Sequence, residues 1–233
     1  MNSLSFTWLG HGTFLFRSPG GQRILIDPWI ATNPVCPEAS KRIRELDLLL
    51  LTHGHDDHTA DAVSIGRATG ARVIAPYELG RWMEQKGLQA VTPMNRGGTI
   101  EAGGLAITMV PAFHSSSIVE DGHIVYLGEP CGYVIRFEDG VSIYFAGDTA
   151  VFGDMRLIAE MYHPQIAFLP IGDHYTMGPA GAAKACELLG VTQVVPMHFG
   201  TFPALTGTPA RLRELVEPRG VRVIELTPGE TAG

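Results

Sequence analysis

The chain has 233 residues, 45% hydrophobic and 18% charged, with a formal net charge of −7. That length and apolar content suffice to bury a full core. The acidic balance argues against a sequence-independent grip on nucleic acid or on an anionic membrane, both of which want a basic face.

From the N-terminus, the first residues lack the basic start and apolar stretch of a signal peptide. Residues 4–9 alternate, 13–17 are apolar and β-prone, and 23–27 follow the turn Ser18-Pro19-Gly20-Gly21. Paired glycines supply positive φ cheaply, so a hairpin is predicted there. The unbroken apolar run 46–52 predicts a strand buried on both faces. Residues 59–69 predict a helix stopped by Gly70, 72–75 a strand, and 77–86 a helix closed by Gly87. Strands are expected at 105–110, 132–137 and 141–145, the last two flanking the turn Glu138-Asp139-Gly140. A helix over 154–162 stops before Pro164, and 165–169 reads as a buried strand. Residues 179–189 predict a helix with proline in its first turn and Gly190 just past its end. A strand at 194–196, a helix opening at Thr208-Pro209 and a strand at 221–226 complete the chain.

Two strand-rich blocks, each followed by helices, predict two sheets packed together with helices outside, which buries the apolar face of every element. A doubly wound open sheet is the alternative, but the hairpins count against it because an all-parallel sheet needs long crossovers. No linker divides the chain, so residues 1–233 read as one domain. Cys36, Cys131 and Cys186 stand far apart with no Cys-x-x-Cys pair, which predicts no disulfide framework, no thiolate zinc site and a reducing compartment. No apolar run approaches the roughly 20 residues of a membrane span, and a cytoplasmic protein is expected.

The chemistry concentrates in His53-Gly54-His55-Asp56-Asp57-His58, directly after an apolar run. Imidazole nitrogen and carboxylate oxygen together suit zinc, manganese or iron; a solvated polar loop is the plain alternative. His114, Asp148 and His198 also follow predicted strands, and a strand end is a rigid mount. His53, His55, Asp57, His58, His114, Asp148 and His198 are more ligands than one tetrahedral zinc can use. They fit two cations sharing a carboxylate. His53 and His55, two apart on an extended segment, point the same way and with His114 make a three-histidine site. Asp57 and His58 face a second ion with His198, and Asp148 can give one oxygen to each.

The order His-x-His-x-Asp-His, then His, Asp and His resembles the metallo-β-lactamase superfamily, and every ligand of its hydrolase branch has a match here. Asp27 in Ile24-Leu25-Ile26-Asp27-Pro28 matches an upstream strand-closing aspartate. Trp8-Leu9-Gly10-His11-Gly12, the segment Asp173-His174-Tyr175-Thr176-Met177-Gly178-Pro179 and Pro196-Met197-His198-Phe199-Gly200-Thr201-Phe202-Pro203 resemble a group of small bacterial and archaeal metal-dependent hydrolases of unassigned substrate. That group is similar to the ascorbate-6-phosphate lactonase-like branch. The resemblance covers essentially the whole chain. It implies an α/β (α+β) four-layered αββα sandwich and a binuclear hydrolase of a small molecule: an ester, lactone, thioester or phosphodiester. Its nucleophile is a hydroxide bridging two divalent ions, zinc, manganese, iron or nickel. Asp57 is expected to orient that nucleophile or take its proton, and Asp27 to stand behind a ligand histidine and fix its tautomer.

His174 and Tyr175 precede a helix start, whose free N–H groups suit an anionic or polar substrate group. His11 is expected either in the pocket wall or as a satisfied structural histidine. His123 and His163 read as structural, Ser115-Ser116-Ser117 as a polar loop edging the pocket, and 119–130 as a candidate lid. An RNA or cyclic-nucleotide phosphodiesterase on the same site is the alternative, against which the lack of a basic stretch weighs. A flavin-dependent oxygen reductase needs a further domain. A non-enzymatic metal-binding module is disfavoured because structural zinc sites are mostly cysteine-rich. A homo-oligomer stays open.

Overall fold

The computed structural model describes residues 3–233; Met1 and Asn2, which open the segment read above as lacking a leader, lie outside them. In chain order come β1 (Ser5–Gly10), β2 (Thr13–Arg17), β3 (Arg23–Ile26), β4 (Leu48–Leu50), α1 (Asp56–Thr59), α2 (Ala62–Thr69), β5 (Arg72–Pro76), α3 (Tyr77–Gln85), β6 (Val91–Met94) and β7 (Thr99–Ala102). There follow β8 (Leu105–Pro111), β9 (Ser117–Glu120), β10 (His123–Tyr126), β11 (Cys131–Arg136), β12 (Ser142–Phe145), α4 (Met155–Tyr162), β13 (Ile166–Pro170) and α5 (Pro179–Leu189). The chain closes with β14 (Gln193–Met197), α6 (Pro209–Val216), β15 (Arg222–Val223) and β16 (Thr231–Ala232).

One sheet runs β16-β1-β2-β3-β4-β5-β6 and the other β15-β14-β13-β12-β11-β8-β7. Each has an antiparallel half, β1-β2-β3 or β7-β8-β11-β12, and a parallel half, β3 to β6 or β12 to β15. The mixture rules out the doubly wound alternative. It also sets where chemistry can happen: β1, β3 and β4 run the same way in one sheet, and β8, β12, β13 and β14 the same way in the other. Their C-terminal ends therefore lie along one edge of each sheet.

Alternation within the strands builds the layers. Phe6, Phe14, Phe16, Ile24, Leu48 and Leu50 meet Ile107, Tyr133, Phe145 and Phe168 between the sheets. The intervening Leu25, Leu49, Leu51 and Val73 turn outward onto Ala62, Leu79 and Met83 of α2 and α3. On the far side Tyr144, Ala167 and Val194 pack on Met155, Ala182, Cys186 and Leu212 of α4, α5 and α6. Strands covered on both faces read as unbroken apolar runs for this reason. The central seam is aromatic: the Phe168 ring lies 5.0 Å from Phe6 and 5.1 Å from both Phe14 and Phe16, mostly edge to face. Each fully buried Phe contributes about 1.5–3 kcal/mol. Among the described residues no helix is long and apolar enough to cross a membrane.

Several expected elements change. The helix predicted over 59–69 is two helices, broken between Thr59 and Ala62. Asp61 causes the break: its Oδ2 accepts from the backbone N–H of Ile30 and Ala31 at 2.6 and 2.9 Å, and its own N–H donates to Pro28 O. Strand β6, not expected, carries Pro93, which an edge strand tolerates. The 119–130 segment is largely the ribbon β9–β10, whose half-buried Ile118 and Val125 pack on the helix-side core while Val119 and Ile124 face out. His123 stands exposed in β10, and His163 caps the C-terminus of α4 with φ 46°. The strand predicted over 221–226 shrinks to two residues beside β14.

Candidate metal centre

Each chemistry-bearing side chain follows the C-terminus of a strand: His11 after β1, Asp27 after β3, Thr52 to His58 after β4, His114 after β8, Asp148 after β12, Asp173 to Tyr175 after β13 and His198 after β14. The chain must turn sharply at these points. His11, Asp27, Asp173, His174 and His198 all have positive φ, between 51° and 66°. Such strain survives only where the surroundings over-determine it. Gly12 is required for the same closeness, because a Cβ there would come within 2.7 Å of the His58 ring.

Besides Asp27, His53 and His58, described below, two groups of side chains converge, each with ligand atoms within 4.8 Å of one another: His53, His55 and His114, and His11, Asp57, His58 and His198. Asp148 lies between them. Its Oδ2 stands 3.1 Å from His198 Nε2, 3.4 Å from His58 Nε2, 3.6 Å from His114 Nε2 and 3.9 Å from His53 Nε2. Asp57 Oδ2 faces the second group at 3.9 Å from His198 Nε2 and 4.0 Å from His58 Nε2. All seven residues expected as ligands are thus brought together.

Asp27 is fully buried behind the two groups. Its Oδ1 accepts from Thr52 N–H at 2.8 Å, and its Oδ2 from the Thr52 hydroxyl at 2.6 Å and from His58 Nδ1 at 2.9 Å. A hydroxyl has one proton to give. Having given it to Asp27, Thr52 Oγ1 must accept from His53 Nδ1, 2.9 Å away. His53 and His58 therefore both carry hydrogen on Nδ1, which turns Nε2 of each ring to the centre. Thr52, which the sequence reading treated only as the end of a strand, orients one histidine directly and the other through Asp27.

Burial pushes His53 well below the ordinary imidazole range and His11 down to about 4. His58 is as buried, yet the charges of Asp148 and Asp57 and the hydrogen bond to Asp27 hold its proton well above 6.5. Burial would raise Asp148, but His198 and His58 keep it well below the usual carboxylate range.

These residues fit divalent cations. His58 Nε2, both His198 nitrogens and Asp148 Oδ1 are buried without a hydrogen-bond partner, and such atoms cost about 1–3 kcal/mol each when left unmatched. Lone pairs of nitrogen and oxygen aimed at a common centre are what zinc, manganese, iron or nickel accept.

A cavity of about 660 Å³ opens over the centre, walled by Tyr175, Phe202, Pro203, Ala204 and Ser115 beside His55, Asp57, His114, Asp148 and His198. Ser115 edges it as expected, with Oγ 3.2 Å from His55 Nε2. Ser116 props the histidine loop by accepting from Gly54 N–H and donating to Leu127 O. Tyr175 contributes to the wall, whereas His174 lies outside it, exposed, with its ring edge-on to Tyr175 at 4.4 Å. His11 is not in the wall either. It is fully buried, because Trp8 Nε1 and His198 N both donate to its carbonyl and hold the turn inside.

The family described as "Beta-lactamase superfamily domain" matches residues 22–199. The chain belongs to the metallo-β-lactamase superfamily. Within that superfamily it is 50% identical to a UPF0173 metal-dependent hydrolase of Koribacter versatilis, over 99% of this chain and 98% of that one. It is also 50% identical to a UPF0173 metal-dependent hydrolase of Rubrobacter xylanophilus, over 97% of this chain and 95% of that one. Among solved structures, Igni18, a metallo hydrolase from the archaeon Ignicoccus hospitalis, is 39% identical with a TM-score of 0.87, covering 98% of this chain and 97% of that chain. The two sheets between helix layers are the αββα sandwich of this superfamily.

Proposed function

We propose that this metallo-β-lactamase superfamily member is a binuclear hydrolase of a small, uncharged carbonyl substrate: an ester, lactone or thioester. The observation that carries the reading is Asp148 Oδ2, which lies 3.1–3.9 Å from imidazole nitrogens of both groups. His53, His55 and His114 would hold one cation, and Asp57, His58 and His198 the other, with Asp148 shared. Two such cations supply an ionised water at neutral pH and a Lewis acid for the substrate oxygen. The chain's own residues do the rest. Asp57 borders both the second group and the cavity, where it would orient the attacking water and take its proton. Tyr175, Phe202 and Pro203 offer apolar surface to an acyl or leaving group and exclude water from it.

No Lys or Arg is among the residues lining the cavity, which favours an uncharged substrate over the anionic one considered from sequence and disfavours a nucleic-acid phosphodiester. The test is elemental analysis of anaerobically purified protein, then chelation, restoration with zinc, manganese, iron or nickel, and a panel of p-nitrophenyl esters, lactones, thioesters and phosphodiesters. Hydrolysis should appear only with a restored metal and disappear in Asp148→Asn. A fully loaded protein inert across the panel refutes the reading.

A further inference from the structure

The turn Gly10-His11-Gly12 places a fully buried histidine at φ 55°, next to the centre but outside the cavity. Both ring nitrogens are engaged. Nε2 lies 3.0 Å from Asp57 Oδ2, and Nδ1 lies 3.0 Å from Thr201 Oγ1. An ionised carboxylate has no proton to give, so His11 Nε2 carries the hydrogen and donates it. Nδ1 is then a lone pair, and the Thr201 hydroxyl donates to it at 3.0 Å in preference to Phe199 O at 3.5 Å. The hydrogen bonds thus run in one direction, Thr201 to His11 to Asp57. The ring has little freedom to turn: His198 packs 3.8 Å from its centroid, and Trp29 and Phe202 stand edge-on at 5.2 and 5.4 Å.

We infer that His11 is a positioning residue for Asp57. Its Nε2–H holds Oδ2 and leaves the other carboxylate oxygen for the water and substrate side, while Thr201 fixes the tautomer that makes this possible. The competing role is a nitrogen ligand for the second cation, since His11 Nε2 falls within the same 4.8 Å group as Asp57, His58 and His198. The two roles need opposite protonation of the same atom. A donor to Asp57 carries hydrogen on Nε2; a ligand bears a lone pair there and leaves the hydrogen on Nδ1, facing Thr201.

The effect on turnover rests on the hydrolase reading above, but the protonation of His11 can be read without any substrate. Long-range proton–nitrogen correlation spectra of the zinc-loaded protein should show His11 protonated on Nε2. Thr201→Val keeps the side-chain shape and removes the donor, so it should shift His11 towards a mixture of tautomers. It should also retain two zinc ions and lower kcat on p-nitrophenyl acetate roughly 3–10-fold with KM unchanged, the worth of one neutral hydrogen bond. Thr201→Ser should restore both signals. His11→Gln, whose amide can still donate, should keep two zinc ions and turn over faster than His11→Ala. Hydrogen on Nδ1 with a bare Nε2, loss of the second zinc in His11→Gln, or a Thr201→Val protein identical to wild type in tautomer and kcat would each overturn the inference. If the wild type left the ester untouched, the hydrolase reading would suffer, and the spectra would still decide the role of His11.

Discussion

Replacing Thr52 with valine removes one hydroxyl from the fully buried interior and nothing else of size. Two partners lose a hydrogen bond: Asp27 Oδ2, which accepts at 2.6 Å, and His53 Nδ1–H, which donates at 2.9 Å. Asp27 keeps the Thr52 backbone N–H and His58; His53 Nδ1 keeps nothing in this arrangement. An unmatched buried polar group costs about 1–3 kcal/mol, so the pair should cost about 2–4 kcal/mol in the metal-free protein. For a chain of this size each kcal/mol moves Tm by about 2–4 °C, giving a fall of roughly 4–16 °C by calorimetry. The released His53 can also protonate on Nε2 and withdraw its lone pair, and loss of such an orienting partner weakens metal affinity about 10–100-fold. Competition with a chromophoric chelator measures that directly. A Thr52→Val protein that melts with the wild type and binds both ions as tightly would refute the tautomer argument, because Thr52 is the hydrogen-bond partner of His53 Nδ1.

Metal uptake should release protons. The folded-state pKa of His58 lies well above the unfolded value of 6.5, so its contribution to metal-free stability is complete below pH 6.5 and fades as pH rises through the folded value. A cation needs the Nε2 lone pair, so binding at pH 7 should expel about one proton from His58. Potentiometric titration in weak buffer measures this, and uptake without proton release would argue that His58 is not a ligand. Phe168→Ala should cost about 3–5 kcal/mol in urea unfolding, since its fully buried ring packs against four others in the seam. A loss under about 1 kcal/mol would show that the sheets do not depend on that seam.

Much of the fold and centre is legible because burial leaves a local trace. Leu48 to Leu51 read as apolar on both faces because both faces are covered, by the partner sheet and by α2 and α3. The candidate ligand histidines and aspartates stand out because they follow the ends of such runs, singly or as the cluster His53 to His58. Elements without that trace went unseen. Strand β6 sits at an edge with a proline, and β9–β10 has one face exposed, so neither shows a strong period. The break at Asp61 is invisible locally, since its cause is the backbone of residues 28–31.

The sequence by itself determined the layered class, the positions of the main buried strands and the set of candidate metal-binding side chains, because these follow from periodicity and residue type over a few neighbours. Only the tertiary structure decided what those side chains do to one another. Thr52 matters because Asp27, 25 residues away, accepts its proton. His11 turned from the pocket wall to Asp57 because the carbonyl of its turn is tied to His198 across the two sheets. Hydrogen-bond direction and lone-pair orientation depend on distances of a few ångströms between remote segments. Strand order and register fix those distances, and no local pattern encodes them.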